Sequence, residues 1–135
     1  MDKIEFKHQI QMKVRDYELD LQGIVNNSVY LNYLEHARHE YLDETGVNFN
    51  ELHIAGYDAV VVRSEVDYKK SLKSGDLFTV HSGVSREGRL RIVFHQRIIR
   101  DADGALMIDA KIFAACIHNN RPVEPLHILE KLGLL

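Results

Sequence analysis

With 135 residues, 45% of them apolar and 27% charged, the chain is sized for a single domain over residues 1–135 with a substantial hydrophobic core. A formal net charge of −3 argues against a surface that binds polyanions through bulk charge, so nucleic acid is not an expected partner. One cysteine, Cys116, lies in the apolar run from Ile112 to Ile117; it forbids an internal disulfide and reads as a reduced, buried thiol.

The amino terminus, Met1 to Lys7, is alternating and charged, with no apolar segment of a signal peptide. No apolar run approaches the ~18 residues of a membrane span, so a soluble cytoplasmic protein is expected. The first element is a strand from Phe6 to Val14. Phe6, His8, Ile10, Met12 and Val14 alternate with Lys7, Gln9, Gln11 and Lys13, giving one apolar face interrupted by His8. A loop, Asp16 to Asn27, leads to a helix over about Ser28 to Thr45. Asn26, Asn27 and Ser28 suit its N-cap and Gly46 its C′ position. At about 100° per residue, Tyr30, Leu34, Ala37 and Tyr41 form one stripe, flanked by Leu31, Tyr33 and Leu42. Asn32, His36, His39 and Asp43 fall opposite. Arg38 falls inside the apolar arc and needs a partner, for which Glu35 is the candidate.

Asn48 to Ala55 reads as a short helix or irregular connection. Four strands follow, about Ala59–Ser71, Leu77–Arg86, Arg89–Arg100 and Ala105–His118. They are separated by the turn signals Ser74-Gly75-Asp76, Glu87-Gly88 and Asp103-Gly104. Asn119 to Pro122 closes the last strand, and a short helix, Leu126 to Leu132, follows Pro125. The expected fold is α+β: an antiparallel five-stranded sheet wrapped around one long helix. One helix cannot cover both faces and the edges of such a sheet. A homo-oligomer is therefore expected, a dimer at least and a homotetramer as the fuller expectation.

Chemistry concentrates before the helix. By itself Asp20-Leu21-Gln22-Gly23 is a turn, since Asp makes Asx-turns and Gly supplies positive φ. Yet Asp20 stands just before a helix start, where free N–H groups and the helix dipole favour an oxyanion. A carboxylate beside such donors is a plausible acyl-transfer geometry.

The run Val14 to Gly46 resembles the hotdog-fold acyl-CoA thioesterases of the 4-hydroxybenzoyl-CoA thioesterase branch. The matching residues are Asp20, Gly23, Ile24-Val25, Tyr30 and Glu35-His36-Ala37-Arg38. The resemblance implies a hotdog fold and hydrolysis of an acyl-CoA to a carboxylic acid and coenzyme A. It implies Asp20 as nucleophile or general base, the backbone N–H of Asn27 as oxyanion donor, and Gly23 as a point of close approach. Where some relatives carry His or an aromatic residue this chain has Asn27, which rules out a proton shuttle at that position. No cofactor is called for; coenzyme A enters as part of the substrate.

Coenzyme A carries phosphates, which want basic side chains. Arg86, Arg89 and Arg91 flank the Glu87-Gly88 turn, and in relatives a basic cluster at this hairpin resembles a site for the nucleotide end. Lys69, Lys70 and Lys73 form a second patch that reads as a solvated strand end, with Lys70 kept as a candidate contact. Tyr30 is a further substrate-side candidate from the motif, while Tyr17 and Tyr57 read as core packing. Eight histidines do not make a metal site: His36 and His39 share the polar helix face without a third ligand at zinc spacing. His95 and His118, in strands, suit core or pocket equally. With no Gly-x-Ser-x-Gly elbow, Ser/His/Asp chemistry is not expected. The alternatives are an acyl-carrier-protein thioesterase, a non-catalytic acyl-CoA-binding hotdog protein and, more remotely, a hotdog dehydratase.

Overall fold

The computed structural model describes residues 4–135; the amino-terminal reading over Met1 to Lys3 lies outside them. In chain order come β1 (His8–Lys13), a 3-10 turn (Asp16–Glu18), α1 (Asn27–Glu44), α2 (Phe49–Ile54) and β2 (Tyr57–Tyr68). Then follow β3 (Leu77–Glu87), β4 (Arg91–Arg100), β5 (Leu106–His118), β6 (Arg121–Val123) and α3 (Leu126–Lys131). The sheet is antiparallel in the order β1-β3-β4-β5-β2, with the three-residue β6 added on β5. The five long strands are those expected from the sequence, and β6 is an addition. It forms because Asn119 and Asn120, both at positive φ, turn the chain back onto β5 at once.

The sheet curls around α1. Tyr30, Tyr33, Leu34, Ala37 and Tyr41 are buried, as the helical stripe requires, in one cluster with Phe78, Val80, Phe94, Ile98 and Ile112 from the strands. Burying a side chain such as Leu34, which is fully inaccessible, contributes about 1.5–3 kcal/mol. The helix stops where Gly46 takes φ +91°. There the Gly46 N–H bonds Asp43 O and the Val47 N–H bonds Leu42 O, a Schellman closure that also buries Val47.

Four local expectations are corrected. Phe6 does not continue the inner face of β1; its ring lies 4.9 Å under the Arg97 guanidinium, and Arg97 pairs with Asp109 on the outer face. The second long strand ends at Tyr68, short of Ser71, because the segment after it turns in to the start of α1. Arg38 is not held by Glu35 but donates to Gln96 Oε1 at 3.0 Å. Gln96, fully buried, in turn donates to Leu34 O and Ser82 Oγ, both at 3.0 Å, so the polar group inside the sheet is satisfied. Desolvation pulls the Arg38 guanidinium below its ordinary range. Tyr17 is 79% exposed and takes no part in the core.

β2 is an edge strand along its whole length. Val60, Val61 and Val62 are 40%, 49% and 46% exposed, a long apolar edge of the kind that monomeric proteins avoid.

Candidate active site

The loop carrying Asp20 is built as a small hairpin. Leu19 and Val25 form an antiparallel bridge, the Asp20 N–H bonds Ile24 O at 2.8 Å, and the Gly23 N–H bonds Asp20 O at 3.1 Å. Gly23 sits at φ +79°, which closes this turn and which an L side chain adopts only with strain. The Asp20 carboxylate is itself oriented: Oδ1 accepts the Gln22 N–H at 2.8 Å. The Asx-turn and the chemical reading are thus compatible, since one oxygen fixes the group and the other remains for chemistry.

Two contacts dock this hairpin. The Val25 N–H bonds Leu72 O at 2.9 Å, and Ile24 bridges to Lys73. The second contact was not anticipated from the sequence. Glu18, only 8% exposed, accepts the Arg15 N–H and the Tyr33 hydroxyl through Oε1, both at 2.7 Å. Its own carbonyl takes the Asn26 N–H at 3.0 Å. Glu18 therefore ties both ends of the loop to α1. Burial, and then the bond to Glu18, push the Tyr33 phenol well above its usual range, so it stays a donor.

At the helix start, Asn26 is the N-cap and its side chain accepts the Ser28 N–H at 3.2 Å. The Val29 N–H bonds Asn26 O at 2.9 Å. The Asn27 N–H between them has no acceptor among the described residues. Asp20 opens the hairpin whose turn is Leu21 to Gly23, and its return arm, Ile24 and Val25, leads directly to this donor. Tyr68 reaches the same point from the end of β2, with its hydroxyl 3.5 Å from Asn27 O and its ring 5.8 Å from that of Tyr30.

Tyr30 is 3% exposed, and its hydroxyl accepts the Leu72 N–H at 2.9 Å. Burial pushes its phenol up. In this chain its contact is structural: it pins the segment after β2 to the helix start. Tyr30→Phe should leave the buried Leu72 N–H unpaired, costing about 1–3 kcal/mol. A denaturant titration checks this, and an unchanged midpoint would mean that the bond contributes nothing.

Of the residues singled out in the sequence, Asp20, Gly23, Asn27 and Tyr30 come together here. Lys70 lies nearby, on the segment leading to Leu72, with its N–H 3.3 Å from Met107 O. Arg86, Arg89 and Arg91 do not join them. They lie at the β3–β4 hairpin, while Asp20 lies at the other end of β3, and this 11-residue strand spans roughly 35 Å at about 3.4 Å per residue. Arg86 is engaged with Glu124 at 2.8 Å and with the carbonyls of Gly88 and Arg89. Arg91 lies 3.5 Å from Glu87, and Arg89 is exposed. His95 Nε2 is 2.8 Å from Ser85 Oγ, and the His118 ring stacks on Tyr57. Among the described residues, no three His, Cys, Asp or Glu side chains converge as a metal site would require.

Comparison with known proteins agrees with this architecture. Residues 14–132 match the model of the thioesterase-like superfamily. The chain is 38% identical over 128 residues to an acyl-acyl carrier protein thioesterase of Arabidopsis thaliana, ATL2, covering 93% of this chain and 68% of that protein. It thus spans about two thirds of the plant relative's length. It is 32% identical over 109 residues to the long-chain acyl-CoA thioesterase FadM of Escherichia coli, covering 81% of this chain and 82% of that one. The crystal structure of YbaW, a probable thioesterase from Escherichia coli, superposes with a TM-score of 0.81 at 30% identity, covering 93% of this chain and 96% of that one.

Proposed function

This chain belongs to the thioesterase-like superfamily of thioester hydrolases, and from that premise we propose that it hydrolyses acyl-CoA. In this reading Asp20 is the reactive carboxylate and the Asn27 N–H is the oxyanion donor. What supports it is a pre-oriented carboxylate on the hairpin that leads into α1, together with an unpaired N–H at that helix start. A thioester asks little more of a protein. Its carbonyl is reactive and the thiolate leaves readily. One aligned donor toward the developing oxyanion typically contributes about 2.7–4 kcal/mol. Asp20 either attacks the carbonyl carbon, giving an acid anhydride that water then opens, or takes a proton from the attacking water.

The active form is a dimer joined through β2. Its exposed valines and free edge support this arrangement, and so does the separation of the candidate site residues. Antiparallel pairing of two β2 strands about a two-fold axis near the strand centre would set the Tyr57 end of one strand toward the Tyr68 end of the other. That brings the β3–β4 hairpin of one subunit to the end of the sheet where the other holds Asp20. Arg89 and Arg91 would then meet the phosphates of a coenzyme A whose thioester sits in the other subunit. Val61→Lys should yield a monomer by sedimentation and lose most turnover; a fully active monomer would remove the dimer from the mechanism.

A second carrier remains in view because of the plant relative, whose name specifies acyl carrier protein. Offering the same acyl group on both carriers decides between them. With coenzyme A as the carrier, KM should rise several-fold as salt is raised through the range where the Debye length falls from about 10 to about 3 Å, because the phosphate contacts are exposed. A KM indifferent to salt, or a clear preference for the protein carrier, would overturn the coenzyme A assignment.

A further inference from the structure

Three tyrosine rings, Tyr30, Tyr33 and Tyr68, meet at the start of α1, and the fold takes up two of their hydroxyls. Tyr33 donates to Glu18, and Tyr30 is buried with its oxygen accepting the Leu72 N–H. Tyr68 differs. It is 49% exposed, and its hydroxyl stands 3.5 Å from Asn27 O, beyond the about 2.5–3.0 Å of a well-made O–H···O bond. Asn27 O opens the hydrogen-bond ladder of α1, so it does not depend on this contact. The Tyr68 hydroxyl is therefore a donor on which the fold has only a weak claim.

The ring that carries this hydroxyl is fixed. Tyr68 is the last residue of β2, paired with Ile108 of β5. The next N–H, that of Lys69, bonds Met107 O at 2.8 Å. The ring packs edge-on against Tyr30, at 5.8 Å and 68°. Further along, Leu72 joins Tyr30 through its N–H and the Asp20 hairpin through its carbonyl, which takes the Val25 N–H. Asp20 is within electrostatic reach of the same ring. Burial is the main cause of the raised Tyr30 phenol, and the charges of Asp76, Tyr68 and Asp20 all add to it. Every one of these contacts lies within one chain.

As a thioester carbonyl carbon turns tetrahedral, its oxygen becomes an oxyanion with room for more than one donor. We propose that Tyr68 supplies the second. Its O–H turns away from Asn27 O and donates to the thioester oxygen beside the Asn27 N–H. The phenol keeps its proton throughout; it contributes a hydrogen bond and does not act as an acid. That bond strengthens as negative charge collects on the oxygen, so Tyr68 acts on kcat rather than on substrate binding. Tyr68 thereby joins Asp20 and Asn27 in the thioesterase reading above, on which this role rests. The role needs no second subunit.

Tyr68→Phe removes the hydroxyl and keeps the ring. The melting midpoint should match that of the unaltered protein, and KM for hexanoyl-CoA and palmitoyl-CoA should change little. The value of kcat should fall roughly 10²-fold, the loss expected for one oxyanion donor. Two inhibitors separate this from a structural role. A trifluoromethyl ketone analogue of hexanoyl-CoA, whose hydrate mimics the tetrahedral intermediate, should bind Tyr68→Phe more weakly by a similar factor. A thioether analogue, with a methylene in place of the carbonyl, should bind both proteins equally.

Undiminished kcat in Tyr68→Phe overturns the role of Tyr68 and leaves the thioesterase reading standing. A lowered melting midpoint, or an equal loss of affinity for both inhibitors, overturns it as well, because Tyr68 would then only hold the helix start in place. If the unaltered protein hydrolyses neither thioester, the acyl-CoA reading falls and the role of Tyr68 falls with it.

Discussion

Asp20→Asn should leave the fold and its stability intact and lower turnover of any acyl thioester by roughly 10³-fold, within the range that a positioned acid–base group supplies. The argument turns on which oxygen does what. Oδ1 accepts the Gln22 N–H at 2.8 Å and closes the Asx-turn. An asparagine keeps that acceptor, so the hairpin from Leu19 to Val25 should persist and the unfolding free energy should stay within about 0.5 kcal/mol of the original. What disappears is the ionised oxygen not committed to the turn. An amide neither attacks a thioester usefully nor removes a proton from water. Parallel measurements of melting and steady-state turnover check both halves. Wild-type turnover in a folded variant would dismiss Asp20 as the reactive group. If turnover collapses, single-turnover hydrolysis in ¹⁸O-labelled water separates the two chemical routes. Direct attack passes through an anhydride and can leave label in Asp20, whereas base catalysis leaves none.

Much of this site was legible in the sequence, for reasons that are physical. The α1 stripe is periodic, so Tyr30, Leu34, Ala37 and Tyr41 declared their burial. Gly46 declared the stop, and the Asp20-to-Gly23 turn declared itself through the two residue types that tight turns favour. What stayed hidden depends on chain segments meeting in space. Arg38 offered Glu35 as a local partner three residues away, but its acceptor is Gln96, on β4, which no helical periodicity could indicate. Tyr30 read as a substrate contact because the motif places it near Asp20, yet its hydroxyl is occupied by the Leu72 N–H. The arginines of the β3–β4 hairpin read as contacts for the nucleotide end of the same ligand that Asp20 acts on. The strand between them sets them at opposite ends of the sheet. Glu18 gave little signal at all. A glutamate in a polar loop looks solvated, and its burial follows from Tyr33 facing the loop rather than the strands alone.

Glu18 is where the remaining large effect is expected. Its side chain performs two tasks that a solvated glutamate would not, accepting the Arg15 N–H and the Tyr33 hydroxyl, and a third bond, from the Asn26 N–H to its backbone carbonyl, is kept by any residue at this position. The first two bring the loop entry and the helix into register, and the third sets the residue before the oxyanion donor. Glu18→Ala leaves the Tyr33 hydroxyl buried without an acceptor, which should cost about 1–3 kcal/mol of stability. The larger consequence is positional. Asp20 is two residues on, and a displacement near 1 Å is enough to lower kcat by roughly 10²-fold. A purely structural role would lower stability alone and leave kcat of the folded fraction unchanged. A positioning role lowers kcat with KM little altered, and Glu18→Gln, which keeps one acceptor oxygen, should recover part of both losses. Tyr33→Phe removes the same bond from the other side. Combined with Glu18→Ala it should add little to the loss of stability, because the two residues share one interaction. Full additivity in that cycle, with kcat unchanged in Glu18→Ala, would mean that the loop holds Asp20 in place by its backbone bridges to Leu72 and Lys73 alone.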